Sequence, residues 1–290
     1  MQTVRPGPRR VQRLGDGLDP EPYTRFGLKP LSPLIGAEIE GVDLAEKIGE
    51  PLLADLRRAL LEWKVLFFRN QAHISGQHHR DFARMWGELE VHPFLPAGDV
   101  PEVVRFEKGE KEKGVENIWH SDVSWREIPA LGSVLRAIAV PDLGGDTMWA
   151  DMGAAYDGLP RAIKDRIDGL EAVHDFTQSF GQGMDPVRLA EMQREYPAVR
   201  HPVVRTHPET GRKTLYVNEI FTREIVGESH ELLAYLCQQA RVPEYQCRFR
   251  WTPGAIAFWD NRATQHYAIS DYWPSRRVME RATIIGDRPR

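Results

Sequence analysis

Three short stretches of this 290-residue chain carry side chains able to do chemistry together. The first is Asn117-Ile118-Trp119-His120-Ser121-Asp122-Val123-Ser124-Trp125. On a strand, residues two apart face the same way, so His120 and Asp122 would present an imidazole nitrogen and a carboxylate oxygen to one point, which a metal accepts. His-x-Asp tripeptides are common, and a turn-stabilising Asp beside a packed His is the ordinary alternative. The second stretch is Trp259-Asp260-Asn261-Arg262-Ala263-Thr264-Gln265-His266-Tyr267, which puts His266 at the end of the strand that follows Pro253-Gly254. Two histidines and a carboxylate on one side of a metal leave the opposite positions open for substrate and oxygen, as in non-haem iron(II) oxygenases, although zinc takes the same donors.

The third stretch runs from Arg277 to Thr283. A period of two places Arg277, Arg281 and Thr283 on one face and Val278, Ala282 and Ile284 on the other. The two arginines are then about 13 Å apart, at roughly 3.3 Å per residue, a spacing suited to two different anions. Guanidinium groups grip carboxylates and sulfonates through paired hydrogen bonds, so one arginine suits a cosubstrate and the other a substrate. The alternative is a solvated outer face on which Arg281 pairs with a local acid.

Composition narrows the partners. Thirty-eight Lys and Arg against 42 Asp and Glu leave a net charge of −4, which disfavours nucleic acid. No apolar run approaches the ~20 residues of a membrane span, and residues 1–13 lack the apolar core of a secretion signal. Cys237 and Cys247 form no CxxC pair, which argues against a disulfide scaffold or a zinc knuckle. A cytoplasmic protein is expected, and the two histidines above must be picked from ten.

The elements that must position these residues read as one β-rich domain with flanking helices. Residues 1–27, rich in Pro, Gly and Arg, are expected to be a flexible or loosely docked arm with solvated arginines, and 28–290 a single domain. A strand through Ala37 and Ile39, a helix through Leu52, Leu56, Leu60 and Trp63, and a buried strand at Val65–Phe68 open the domain. A helix over 75–86 carries His78 and His79, both read as surface residues. Strands fill 103–151, a helix covers 160–170, and polar residues 177–197 form a cover ending in helix. Residues 200–206 and 213–218 pair as a hairpin, and a helix over 229–240 leads to strands at 245–251, 255–260 and 277–285. His201 and His207 read as structural, and Trp119, Trp149, Trp251 and Trp259 as core fillers.

The chain resembles the TauD/TfdA family of iron(II)- and 2-oxoglutarate-dependent dioxygenases from Leu31 to Pro289. The resemblance is carried by Trp-His-Ser-Asp-Val at 119–123, Gly-Gly-Asp-Thr at 144–147, Trp-Asp-Asn-Arg-x-Thr-Gln-His-Tyr-Ala at 259–268 and Arg-Arg-x-Met-x-Arg-Ala-Thr at 276–283. It implies a distorted double-stranded β-helix, a cupin-like jelly roll with flanking helices. Further, it implies His120, Asp122 and His266 as ligands of Fe(II), and Thr147 and Arg277 as the grip on the distal carboxylate of 2-oxoglutarate, with O2 as second cosubstrate. Arg281 falls at the position that binds the anionic group of the substrate, and His92, Ser179, Phe180 and Phe221 match the taurine branch of the family.

Two residues depart from the taurine pattern: Leu95 replaces a tyrosine and Glu116 an asparagine. Glu116 would bind an ammonium group directly or repel an anion, and Leu95 exchanges a hydroxyl for apolar surface. Losing a hydrogen-bonding group from a polar pocket changes discrimination strongly. The leading expectation is hydroxylation of taurine or a related alkylsulfonate with release of sulfite and an aldehyde. An alkyl sulfate ester or an aryloxyalkanoate is the alternative. A zinc-dependent cupin-like hydrolase or isomerase and a non-catalytic binding protein are the more distant rivals. A homo-oligomer, dimer or tetramer, is the expected assembly.

Overall fold

The computed structural model describes residues 13–14, 21–95, 100–114 and 117–290. The chain opens with β1 (Gly27–Pro30), β2 (Ala37–Glu40), α1 (Glu50–Trp63), β3 (Val65–Phe68) and α2 (Gly76–Arg84). Next come β4 (Val103–Lys108), β5 (Ala130–Ala139), β6 (Thr147–Asp151), α3 (Met152–Asp157), α4 (Arg161–Ile167), β7 (Glu171–His174) and α5 (Pro186–Glu195). It ends with β8 (Val199–Pro202), β9 (Val204–Thr206), β10 (Lys213–Leu215), β11 (Thr222–Ile225), α6 (His230–Cys237), β12 (Gln246–Phe249), β13 (Ile256–Asp260), β14 (Thr264–Ala268) and β15 (Arg277–Ile285).

A seven-stranded sheet in the order β1-β2-β3-β13-β5-β15-β4 forms one wall of the jelly roll, and β12-β6-β14 forms the facing wall. The large sheet is covered on both sides, which explains why Val65–Phe68 is apolar throughout rather than alternating. Val65, Phe67, Ala257, Trp259, Leu135 and Met279 point inward against Trp149, Cys247 and Phe249. Leu66, Phe68, Ile256, Phe258, Val134 and Ala282 point outward against Leu56, Leu60 and Trp63 of α1 and Phe82 of α2. Strand β15 therefore presents Arg277, Met279, Arg281 and Thr283 to the interior side, as its period of two predicts.

The structure departs from the sequence reading in several places. His79 is fully buried, with Nε2 bonded to the Val134 carbonyl at 2.9 Å, because it lies on the face of α2 that packs on the sheet. Only β9 and β10 form the predicted hairpin, since β8 pairs with β7 instead. Within residues 1–27 the described part is docked: Arg13 pairs with Glu62 at 2.7 Å and stacks on Trp63, and Tyr23 donates to Glu62 at 2.6 Å. Arg13 is therefore paired rather than solvated as expected, while Arg5, Arg9 and Arg10 lie outside the described residues. Among the described residues, no helix is long and apolar enough to cross a membrane.

Candidate active site

His120 and Asp122 converge, but not as two positions of one strand. His120 makes an isolated antiparallel bridge with His266, exchanging hydrogen bonds of 3.1 and 2.8 Å. Asp122 lies just beyond, in a turn where Val123 has a φ of 46°. That left-handed conformation is rare for a β-branched residue, and it turns the chain sharply after the carboxylate. His266 sits mid-strand in β14 rather than at a strand end, facing His120 across the bridge with ring centroids 4.1 Å apart.

The geometry suits a divalent metal. Ligand atoms of His120, Asp122 and His266 all lie within 4.8 Å of one another, and Nε2 of each imidazole is 3.9 Å from Asp122 Oδ1. His120 Nδ1 is 2.8 Å from the Ile118 carbonyl, so this nitrogen carries the proton and Nε2 keeps its lone pair for a cation. Burial, reinforced by His120, lowers the His266 pKa to about 3, keeping this imidazole neutral. Burial opposes ionisation of Asp122, yet the charge of Arg281, with the Ser133 hydrogen bond adding to it, holds the carboxyl well below its usual range. Two imidazoles and an ionised carboxylate are the donor set a non-haem iron(II) site requires.

A set of hydrogen bonds fixes Asp122. Ser133 Oγ on β5 donates to Oδ2 at 2.7 Å, and Asn261 Oδ1 accepts the Asp122 N–H at 3.1 Å. Asn261 is held in turn by Trp259 Nε1 at 3.0 Å. On the other side, Arg281 Nη1 lies 2.5 Å from Asp122 Oδ1. Arg281 thus does pair with an acid, but in the buried site rather than on a solvated face.

Two cavities flank the three ligand candidates. The smaller, about 80 Å³, is lined by His120, Thr147, Trp259, His266, Arg277 and Arg281, among others. Gly144 and Gly145 adopt φ values of 81° and 70°, and a Cβ on Gly145 would come within 3.2 Å of Arg277 Cδ. The chain can therefore pass against Arg277, whose Nε donates to the Gly145 carbonyl at 3.2 Å. Thr147 Oγ1 accepts from Trp251 Nε1 at 2.9 Å. Thr147 and Arg277 are brought together as expected, with Trp251 as a supporting residue that had been read only as core.

The larger cavity, about 310 Å³, contains His92, Leu95, Asp122, Ser179, Phe180, Phe221 and Arg281 in its walls. Phe106, Ile118, Val123 and Ile220 add apolar surface, and Phe106, Lys108, His120 and Arg281 are shared with the smaller cavity. His92 Nδ1 accepts the Phe94 N–H at 3.2 Å, leaving a buried Nε2 without a partner. Burial, with Arg281 adding to it, lowers the His92 pKa to about 3. Glu116 lies outside the described residues. Sequence reasoning missed Ser133, Phe106, Ile118, Ile220 and Lys108. Asn261 lay inside a recognised motif but received no role.

Comparison with known proteins agrees with this geometry. Residues 27–283 match the family described as "Taurine catabolism dioxygenase TauD, TfdA family". An alkylsulfatase of Acinetobacter baylyi is 36% identical, over 92% of this chain and 87% of that protein. An alpha-ketoglutarate-dependent sulfate ester dioxygenase of Pseudomonas putida is 35% identical, over 90% and 89%. The crystal structure of a taurine dioxygenase from Burkholderia xenovorans superposes with a TM-score of 0.78 at 36% identity, covering 92% of this chain and 91% of that one.

Proposed function

The chain belongs to the TauD/TfdA family and is a 2-oxoglutarate-dependent dioxygenase, and we propose that it hydroxylates an alkyl sulfonate or alkyl sulfate at the carbon next to the anionic group. The larger cavity carries this reading: Arg281 offers a guanidinium charge, while Leu95, Phe106, Ile118, Phe180, Ile220 and Phe221 offer apolar surface. Such a pocket suits an anion with a hydrocarbon tail better than taurine, whose ammonium group meets no acid other than Asp122 among the described lining residues.

In this reading His120, Asp122 and His266 hold iron(II), and Ser133 and Asn261 keep the Asp122 carboxylate oriented. Iron with 2-oxoglutarate and oxygen supplies the oxidising power, 2-oxoglutarate leaving as succinate and carbon dioxide. Arg277 and Thr147 take the distal carboxylate of 2-oxoglutarate in the smaller cavity. Arg281 holds the anionic head of the substrate, with the Nε2 proton of His92 beside it and Ser179 in the same wall. The aromatic wall of Phe180 and Phe221 excludes water and confines the tail. Oxygenation next to a sulfonate leaves a product that collapses to sulfite and an aldehyde; next to a sulfate ester, it collapses to sulfate and an aldehyde.

A panel of taurine, alkylsulfonates, alkyl sulfates and aryloxyalkanoates, scored for succinate together with sulfite, sulfate or phenol, tests the assignment. Coupled succinate and sulfite or sulfate from hydrocarbon-tailed anions is the expected result. Phenol release from aryloxy acids alone would overturn it, as would a clear preference for taurine.

A further inference from the structure

Glu90 precedes His92 by two residues and has no part in the assignments above. Leu89 bridges Ile284 in antiparallel fashion, and the Glu90 N–H donates to the Thr283 carbonyl at 2.9 Å. Glu90 therefore stands beside Thr283, on the face of β15 that carries Arg281. Diagonal neighbours across such a pair are about 7–8 Å apart, within reach of long side chains.

The polar atoms of this corner are unevenly satisfied. Glu90 is buried, and its Oε1 accepts both Nε (3.0 Å) and Nη2 (2.6 Å) of Arg126, while Oε2 has no hydrogen-bond partner. Arg281 donates through Nη1 to Asp122, and its Nε is likewise buried without a partner. A buried acceptor and a buried donor, each stripped of water, stand to gain from one another. Burial raises the Glu90 pKa, Arg126 and then Arg281 oppose that rise, and Asp122 adds to it, so the two arginines and Asp122 all act on this carboxyl. Glu90 lines a separate cleft of about 460 Å³ with Val123, Arg126 and Thr283, and is absent from the lining of the substrate cavity.

We propose that Glu90 is a positioning residue for Arg281, attracting the guanidinium by its charge, without touching it, so that it meets the anionic head of the substrate. It acts through Arg281 rather than by touching substrate, as carboxylates behind metal-bound imidazoles orient those rings. An anion reaching Arg281 competes with Asp122 for the same charge, and a second carboxylate keeps the guanidinium seated while that exchange occurs. The proposal rests on the reading that Arg281 binds the substrate anion.

The test uses the iron-loaded full-length enzyme with hexyl sulfate and 1-hexanesulfonate as probes, comparing Glu90→Gln, Glu90→Asp, Arg126→Gln and Arg281→Lys. Glu90→Gln is expected to raise KM for the turned-over probe about tenfold, leaving kcat and KM for 2-oxoglutarate within about twofold. Calorimetric binding of that probe without oxygen should weaken in parallel, and Glu90→Asp should recover part of the loss. Unchanged KM in Glu90→Gln, with Arg281→Lys impaired, overturns the role of Glu90 alone. Equal losses in Glu90→Gln and Arg126→Gln also overturn it, since Glu90 would then serve only Arg126. Failure of Arg281→Lys to affect either probe overturns the underlying substrate reading instead. Should Glu90→Gln not fold, the Glu90→Asp and Arg281→Lys pair decides: non-additive changes in KM support the proposal and additive ones overturn it.

Discussion

The jelly roll holds two buried clusters of charge, one around Asp151 and Asp260 and one around Asp122 and Arg281, and they are built to opposite rules. In the first, Asp260 has both oxygens occupied: Arg262 donates to Oδ1 at 2.9 Å and to Oδ2 at 2.7 Å, and His207 lies 3.0 Å from Oδ2. Asp151 accepts two backbone N–H bonds through Oδ1 as the N-cap of α3, and its Oδ2, which has no hydrogen bond, is matched by the buried Lys64 ammonium at 3.0 Å. Around Asp122, Arg281 Nε, His92 Nε2, His266 Nδ1 and Glu90 Oε2 are buried without hydrogen-bond partners. A cluster whose polar atoms find partners within the protein serves the fold. One with unspent donors and acceptors beside cavities is arranged for groups that arrive from outside.

That contrast can be broken by mutation. Asp122→Ala should reduce 2-oxoglutarate turnover to background and remove the visible charge-transfer band on anaerobic addition of iron(II) and 2-oxoglutarate. Appreciable succinate formation in this variant would place the ligand set elsewhere. In the other cluster, Asp260→Asn removes the charge between Arg262 and His207, leaving Arg262 only its pair with Glu209, and should cost about 3–5 kcal/mol of stability in urea titrations, with turnover per folded molecule retained. A loss of activity without a loss of stability would erase the distinction between the clusters.

Two smaller effects sharpen it. Burial lowers the His79 pKa from 6.5 to about 4. The unfolded chain then takes up this proton first as pH falls, so the stability His79 contributes is full above pH 6.5 and declines toward pH 4. The total loss is ~3 kcal/mol for this residue. Urea midpoints measured across that window should fall less steeply in His79→Gln, and an equal slope would remove His79 as a cause. Ser133→Ala withdraws one hydrogen bond from Asp122 and should weaken metal binding about 10- to 100-fold, read by anaerobic titration with iron(II). Unaltered affinity would show that Asn261 suffices.

Legibility in the sequence followed the range of the interactions. His120, Asp122, His266, Thr147, Arg277 and Arg281 stand in short motifs, so their types and spacing could be read locally, and the period of two along β15 assigned its faces correctly. The turn at Val123, the mid-strand place of His266 and the burial of His79 were not readable, because each depends on which segment packs opposite. Ser133 shows the limit most clearly: a serine inside a strand carries no signal until β5 places it 2.7 Å from Asp122.

Sequence alone determined the family resemblance, the donor set and the two arginines, because those rest on residue identity at fixed spacing. Tertiary structure decided that Arg281 pairs with Asp122 in a buried site. It also decided that two cavities border the ligand candidates, and that Glu90 lies beside Thr283 on the face of β15 that carries Arg281. Those outcomes depend on residues far apart in the chain meeting across strands, and on the removal of water that makes each unpaired polar atom costly.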